Sequence, residues 1–269
     1  MTDSDIALKA AKEAAKIISS FDQNRDKLNI DFKGKNDLIT DADLASEKKI
    51  LEVIQSHCPS DTILAEESTG RIKLTNERTW IIDPIDGTTN FAHGFPVYCV
   101  SIGLWENQQP KDAVVLEVHS GTVFQASKGK GATMNGKPIS VSNINNPKNA
   151  LLATGFPYNN MDLLDDYLSL FRDLLNSTQG MRRPGSAAFD LCLVAAGKCD
   201  GFYEYGLAPW DTGAGSLIIQ EAGGVISDWD GGQDWLFGRR IICGNPTIHE
   251  FLLEKVKTFI PSEKRKAEF

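Results

Sequence analysis

Between residues 62 and 142 the chain is written largely in short apolar runs: TILA, TWIID, VYCVSIGLW, DAVVLEV, TVFQAS and PISVS, separated by polar and glycine-bearing breaks. Runs of that length fit strands better than helices. Asn135-Gly136 between extended segments is a two-residue hairpin signal, and Gly129 and Gly131 punctuate the approach to it. An antiparallel sheet in the middle of the chain is therefore the expectation to which every other element must conform.

Helical patterns precede it. Ile6, Ala10, Ala14, Ile17 and Ile18 share one stripe over residues 5–20, and Leu44, Ile50, Leu51 and Ile54 recur at helical spacing over 43–57. The second helix is bounded by Thr40 and Asp41 at its start and Pro59 beyond its end. Between the two, DFKGKNDLITDAD reads as a polar loop.

After Asn145-Asn146-Pro147 strands and helices alternate. ALLATG, CDGFYE, VISDW and RIICG read as strands; MDLLDDYLSLFRDLL, SAAFDLCLVAAG, AGSLIIQEAGG and IHEFLLEKVKTF read as helices, with a Gly/Arg turn after the first of these. The fold class expected is α/β: an α+β amino half, residues 1–147, and an α/β carboxyl half, 148–269.

Charge narrows the partners. The 269 residues carry 28 basic and 36 acidic side chains, a formal net charge of −8, and outside the EKRKAEF tail no basic run exceeds two residues. Binding driven by phosphate neutralisation needs a basic surplus, so nucleic acid is not the expected partner. No apolar run approaches the roughly 18 residues of a spanning helix, and MTDSDIALKAAKEAAK lacks the order of a signal peptide, so no membrane is expected and cytoplasm is the expected location. Five scattered cysteines without a CxxC pair read as small core residues, and no two of the four histidines fall at metal-ligand spacing. A metal, if bound, must be held by oxygen.

WIIDPIDGTTNFAHGFP, residues 80–96, carries the densest chemistry. An apolar strand runs into Asp83, and Pro84 cannot continue a central ladder, so Asp83 and Asp86 can point at one centre. Gly87 permits close backbone approach, while Thr88, Thr89 and Asn90 offer hydroxyls, an amide and main-chain N–H groups as a phosphate cradle. A lone Asp-Gly is ordinarily just a turn. Glu66-Glu67 after TILA, taken alone, is a solvated pair or a helix first turn, and Asp211 in APWDTGAGSLIIQEAGG, taken alone, is an N-cap. Collected around one point, Glu66, Asp83, Asp86 and Asp211, with the Ile85 carbonyl, form a hard oxygen set suited to Mg²⁺ or Mn²⁺. Ions so held favour in-line displacement at phosphorus, as in phosphate monoester hydrolysis.

WIIDPIDGTTNF, the upstream LAEES and PWDTGAGSLIIQEAGG together resemble the inositol monophosphatase family. DLITDAD, KGKGATMNGKPISVS and GSAAFDLCLVAAGKCDGFYE resemble further family segments in the family's order, so the likeness spans nearly the whole chain; RRPGSAAFD and EYGLAPWD look closer to bacterial members than to animal ones. The resemblance implies a layered αβαβα sugar-phosphatase fold, a homodimer, inhibition by lithium, and two to three Mg²⁺ per site with Mn²⁺ as a substitute. It implies a small phosphorylated polyol or sugar as substrate, inositol monophosphate foremost, cleaved by water.

Carried over by position, the resemblance implies metal ligation by Glu66, Asp83, Asp86, Asp211 and the Ile85 carbonyl. Thr88 and Asp43, with Glu66, would orient the water; Gly87 and Thr88 would hold the phosphate. Gly185, Ser186, Ala187 and Glu204, with Asp86 and Asp211, would meet the substrate. On residue chemistry alone Ser186 is a helix N-cap and Glu204 a partner for Arg183. Either Lys33 or Lys35 would serve the mobile loop of a third metal site.

Three other readings stay open. Fructose 1,6-bisphosphate, histidinol phosphate, NADP or adenosine 3′,5′-bisphosphate could be the substrate of the same metal centre. A haloacid-dehalogenase-type phosphatase also carries an Asp before D-G-T, but its nucleophile lies two residues ahead of the second acid and here the spacing is three, which favours water attack. The third is a regulatory interaction protein that retains the fold.

Overall fold

The computed structural model describes residues 1–34, 37–69, 73–158 and 160–266, with the side chains of Lys27, Lys33 and Asp37 outside that description. The amino half contains α1 (Asp3–Asp22), β1 (Ile30–Gly34), β2 (Asp37–Thr40), α2 (Asp41–His57), β3 (Thr62–Ala65), β4 (Thr79–Asp86) and α3 (Thr88–His93). The strands β5 (Cys99–Glu106), β6 (Gln109–Glu117), β7 (Thr122–Ser127), β8 (Ala132–Met134) and β9 (Lys137–Ile139) follow. After a 3₁₀ turn at Pro147–Asn149 come β10 (Leu151–Thr154), α4 (Leu164–Ser177), β11 (Gly180–Arg182), α5 (Ala187–Ala195), β12 (Gly201–Tyr205), α6 (Pro209–Thr212) and α7 (Gly215–Glu221). The chain closes with β13 (Val225–Ser227), β14 (Arg240–Gly244) and α8 (Pro246–Phe259).

Strands β3 to β9 form one sheet in chain order, and the smaller sheet runs β11-β10-β12-β14-β13. The central strands are apolar on both faces because both faces are covered. Along β4, Trp80 and Ile82 meet Ile6, Ala10, Ala14, Ile18, Ile50 and Ile54 of α1 and α2. Ile81 between them faces the other way, into a core shared with Leu191 of α5 and Ile218 of α7. The small sheet alternates likewise: Phe202 and Ile241 join α5 and α7, while Tyr203 and Ile242 pack with Tyr167, Leu170, Ile248 and Leu252 of α4 and α8. The layers are thus helix, sheet, helix, sheet, helix, the αβαβα arrangement expected.

Four local readings change. The 31–43 segment is not a loop: β1 and β2 pair antiparallel, and Asn135-Gly136 does turn the expected hairpin between β8 and β9. Its polar composition reflects exposure, since Ile30, Asp31 and Phe32 face solvent and have no core to fill. Strand β3 runs parallel to β4, inside a sheet whose other pairs are antiparallel. The Gly/Arg turn at 180–182 is an edge strand beside β10. Leu44 is 51% exposed rather than part of the α2 stripe, because that helix buries Asp43, Ser46 and Glu47 with Ile50 and Ile54. Of the two loop lysines, Lys33 is described only by its backbone in β1, and Lys35 lies outside the described residues.

Cys99, Cys192, Cys199 and Cys243 are buried and Cys58 half-buried, all as free thiols. No helix among the described residues is long and apolar enough to cross a membrane.

Candidate active site

The site begins with an irregularity in β4. Residues three apart on a regular strand face opposite sides. Opposite β5, however, Asp83 pairs with Ser101 and Asp86 with Cys99, so β4 spends one extra residue between them. That bulge, at Pro84-Ile85, returns Asp86 to the same side as Asp83. Asp211, in the single turn of α6, joins them, and one carboxylate oxygen from each of the three lies within 4.8 Å of the others. Asp83 Oδ1 accepts the Ile85 N–H at 3.0 Å, and Asp211 Oδ2 accepts the Ala208 N–H at 2.6 Å. Asp211 is not the N-cap of α6, which is Ala208; it is the third residue of that helix, closing back on the Ala208 N–H while meeting the other two acids.

Burial, followed by the charges of Glu66, Asp86 and Asp211, holds the Asp83 carboxyl well above its ordinary range. Burial and then Asp86 do the same to Asp211. Asp86 is also pushed up by burial, against four hydrogen bonds that favour its anion. Glu66 is outside the tight trio, yet close enough for its charge to act on both Asp83 and Asp211. Its main-chain N–H pairs with the Ile82 carbonyl, which places it at the end of the parallel β3–β4 pair.

Asp86 reaches across to the carboxyl half. Ser186 Oγ donates to its Oδ2 at 2.6 Å, the Ala188 N–H to Oδ2 at 2.7 Å, and the Ala187 N–H to Oδ1 at 3.2 Å. Ser186 stands at the N-cap position of α5, but its side chain makes no capping bond within the helix. Asp86 performs that task from 100 residues away, so the N-cap reading of Ser186 is corrected.

One face of α2 supports the opposite side. Asp43 Oδ2 accepts from Thr40 N–H at 2.8 Å and from Thr40 Oγ1 at 2.6 Å, closing a capping box, while its Oδ1 lies 3.2 Å from Thr88 Oγ1. Thr88 Oγ1 is also 3.0 Å from the Ile85 carbonyl. One turn further on, Ser46 Oγ donates to the Pro84 carbonyl at 3.0 Å, and Glu47 Oε2 accepts the Glu67 N–H at 2.9 Å. Burial above all raises Asp43 to about 6. Sequence reasoning missed Ser46 and Glu47. Their signal was available as polar residues at i+3 and i+4 from Asp43, on the side of the helix that the apolar stripe marks as inward.

Gly87 takes φ +97°, and a Cβ there would sit 3.0 Å from the Val97 carbonyl and 3.2 Å from that of Gly185. The first-turn amides of α3 follow it. Asn90 is not turned towards a cradle: its Nδ2 donates to the carbonyls of Val97 and Pro184, at 2.8 and 2.9 Å, tying α3 to the approach to α5.

Beside the acids is a cavity of about 100 Å³, whose lining includes Asp86, Asp211, Ser186, Arg183, Asp190 and Glu204. It is far smaller than the roughly 300–1,000 Å³ of drug-sized clefts. Gly185, Ala187, Thr154, Gly155 and Leu207 complete the wall. A side chain at Gly155 would overlap the Glu204 carboxylate, so the glycine makes room for it. Burial raises Glu204 to about 8, with Arg183 pulling the other way. Among the described residues the two form no ion pair within 4.0 Å; Arg183 lies over the Tyr158 ring at 5.5 Å.

A model of the inositol monophosphatase family matches residues 2–260. A protein of Neisseria meningitidis serogroup B named putative Nus factor SuhB is 40% identical over 254 residues, covering 94% of this chain and 97% of its own. Among solved structures, the extragenic suppressor protein SuhB of Bartonella henselae matches with a TM-score of 0.90 at 34% identity, over 95% of this chain and 98% of that one. The inositol monophosphatase of Anabaena (Nostoc) sp. PCC 7120 matches with a TM-score of 0.82 at 37% identity, over 97% of each chain.

Proposed function

The chain belongs to the inositol monophosphatase family, and from that premise we propose that it hydrolyses the phosphate monoester of a small polyol, inositol monophosphate foremost, by attack of water at phosphorus with Mg²⁺ bound. The observation that carries this reading is the convergence of Asp83, Asp86 and Asp211 on one point, with Asp86 and Asp211 also lining a small polar cavity.

The donor set fits the ion. It is all oxygen, without nitrogen or sulfur, as Mg²⁺ and Mn²⁺ prefer. Three carboxyls forced together in a desolvated place, with raised affinities for protons, are relieved by a cation. Glu66, Asp83 and the Ile85 carbonyl would hold one ion and Asp83, Asp86 and Asp211 a second; a third, beside Glu66, is the remaining position. Bound there, Mg²⁺ supplies Lewis acidity and lowers the pKa of water.

The chain's own groups do the rest. Asp43, fixed by Thr40, orients the Thr88 hydroxyl, and that pair positions the attacking water and receives its proton. Gly87 and Thr88 hold the phosphate through main-chain N–H groups. Ser186 and the first amides of α5 keep Asp86 aimed at the centre. Gly185, Ala187 and Glu204 meet the polyol on the side away from the phosphate. The chain acts as a homodimer in this reading.

The test is phosphate release with Mg²⁺ from inositol 1-phosphate, fructose 1,6-bisphosphate, histidinol phosphate and adenosine 3′,5′-bisphosphate, with lithium titrated against Mg²⁺. Preference for inositol 1-phosphate and inhibition by lithium are expected; trapped covalent phosphate would instead support an aspartyl intermediate. The name Nus factor, borne by the Neisseria relative, supports a second reading as an interaction protein that keeps the fold. Absence of turnover on every ester would favour it.

A further inference from the structure

Asp190 belongs to no role described so far. It lies on the first turns of α5, is 1% exposed, and its Oδ1 is buried without a hydrogen-bond partner. It nevertheless lines the same cavity as Asp86, Asp211, Glu204 and Arg183. Buried polar atoms in native folds are almost always paired, so an unpaired one beside a cavity points to a ligand that pairs it.

We propose that Asp190 is a specificity-determining residue that, with Glu204, accepts the hydroxyls of an uncharged polyol and rejects a second phosphate at the end of the cavity away from the metal centre. The inference rests on the phosphatase reading above and names its substrate class more narrowly.

The chemistry of the lining carries it. Beyond the metal centre the cavity wall holds two carboxyl groups and one guanidinium. Ionised, the carboxyls are acceptors only; protonated, each offers one O–H and one acceptor oxygen, the pattern that matches a hydroxyl. Either way each carboxyl keeps at least one acceptor oxygen that a phosphate dianion, having no hydrogen to donate, leaves unpaired, and Arg183 is the one cation among the lining residues. The charge of Arg183 acts on both Asp190 and Glu204, although the guanidinium lies over the Tyr158 ring rather than in an ion pair with Glu204.

The experiment compares wild type with Asp190→Asn, in the Mg²⁺-loaded protein, on inositol 1-phosphate and fructose 1,6-bisphosphate. An amide puts an NH₂ donor where the carboxyl has an oxygen, so the ratio of kcat/KM for the monophosphate over the bisphosphate should fall at least about tenfold, mainly through KM. Should Asp190→Asn fail to fold, Asp190→Ser gives the same comparison. Equal loss on both esters means a structural role and overturns the proposal, as does an unchanged ratio. If wild type cleaves neither ester, the phosphatase reading has failed by itself. The melting shift produced by inositol 1-phosphate against that produced by fructose 1,6-bisphosphate then still reads the residue: wild type should favour the former and the variant should not, and identical shifts in both proteins overturn the assignment.

Discussion

Asp86 Oδ2 and Ser186 Oγ are 2.6 Å apart although 100 residues separate them in the chain, and this contact joins the bulged end of β4 to the start of α5. The same carboxylate is therefore a helix cap for one half of the molecule and a member of the acidic trio for the other. Ser186→Ala removes the only hydroxyl donor among its partners. A loss of about 1–2 kcal/mol in unfolding free energy is expected, with a severalfold higher Mg²⁺ requirement, because Asp86 is then held by main-chain amides and the Cys99 thiol. Urea midpoints and a Mg²⁺ titration of activity measure both; no change in either would mean that the contact is incidental.

Asp83→Asn separates chemistry from folding. Asp83 is buried and its anion is disfavoured by burial and four neighbouring acids, so the amide should cost the metal-free protein little and even raise its melting temperature. Phosphate release should drop by about a thousandfold or more if this carboxylate bridges two ions. A variant with near-normal turnover would refute the ligand assignment.

Stability of the metal-free fold should fall as pH rises above the ordinary carboxylate range. In the metal-free fold Glu204 keeps its proton to about pH 8 and Asp43 to about pH 6, whereas carboxyls of an unfolded chain lose theirs near about pH 4. Between those values the folded state binds more protons than the unfolded one, so stability is lost as pH rises through the window. Each unit of difference is worth about 1.4 kcal/mol. Urea midpoints in EDTA should be lower at pH 8 than at pH 5, and Mg²⁺ should restore the loss at pH 8. A midpoint in EDTA that climbs between pH 5 and 8 would contradict the raised carboxyls.

Glu47 carries a prediction of its own. It touches no reacting group, but its carboxylate holds the Glu67 N–H and so fixes the turn that presents Glu66. Glu47→Ala should weaken Mg²⁺ by about tenfold, as expected for outer partners of metal ligands, while saturating Mg²⁺ recovers most of kcat. A fall in kcat that excess Mg²⁺ leaves untouched would point to a broader structural role.

Much of the architecture was readable from periodicity. The strands from Thr62 to Ser127 and the alternation after Pro147 follow from apolar runs and breaks, and the acids at 83, 86 and 211 stand out because each ends an apolar run or begins a helix. Reading failed where a residue answers to a distant partner. Leu44 fitted the helical period yet faces solvent, and Asp43, Ser46 and Glu47 are polar yet inward, because that face of α2 packs on the site and not on apolar core.

The sequence by itself determined most of the helices and strands, though not β1, β2 or β11, and which residue types could hold a divalent cation, since both depend on local pattern and side-chain chemistry. Only the tertiary structure decided that Asp83 and Asp86 share a side, that Asp86 caps α5 in place of Ser186, and that Asp190 and Glu204 line one cavity. Those are relations between elements brought together by packing. Burial of the surrounding core, not any local propensity, brings these acidic groups this close around one point and one cavity.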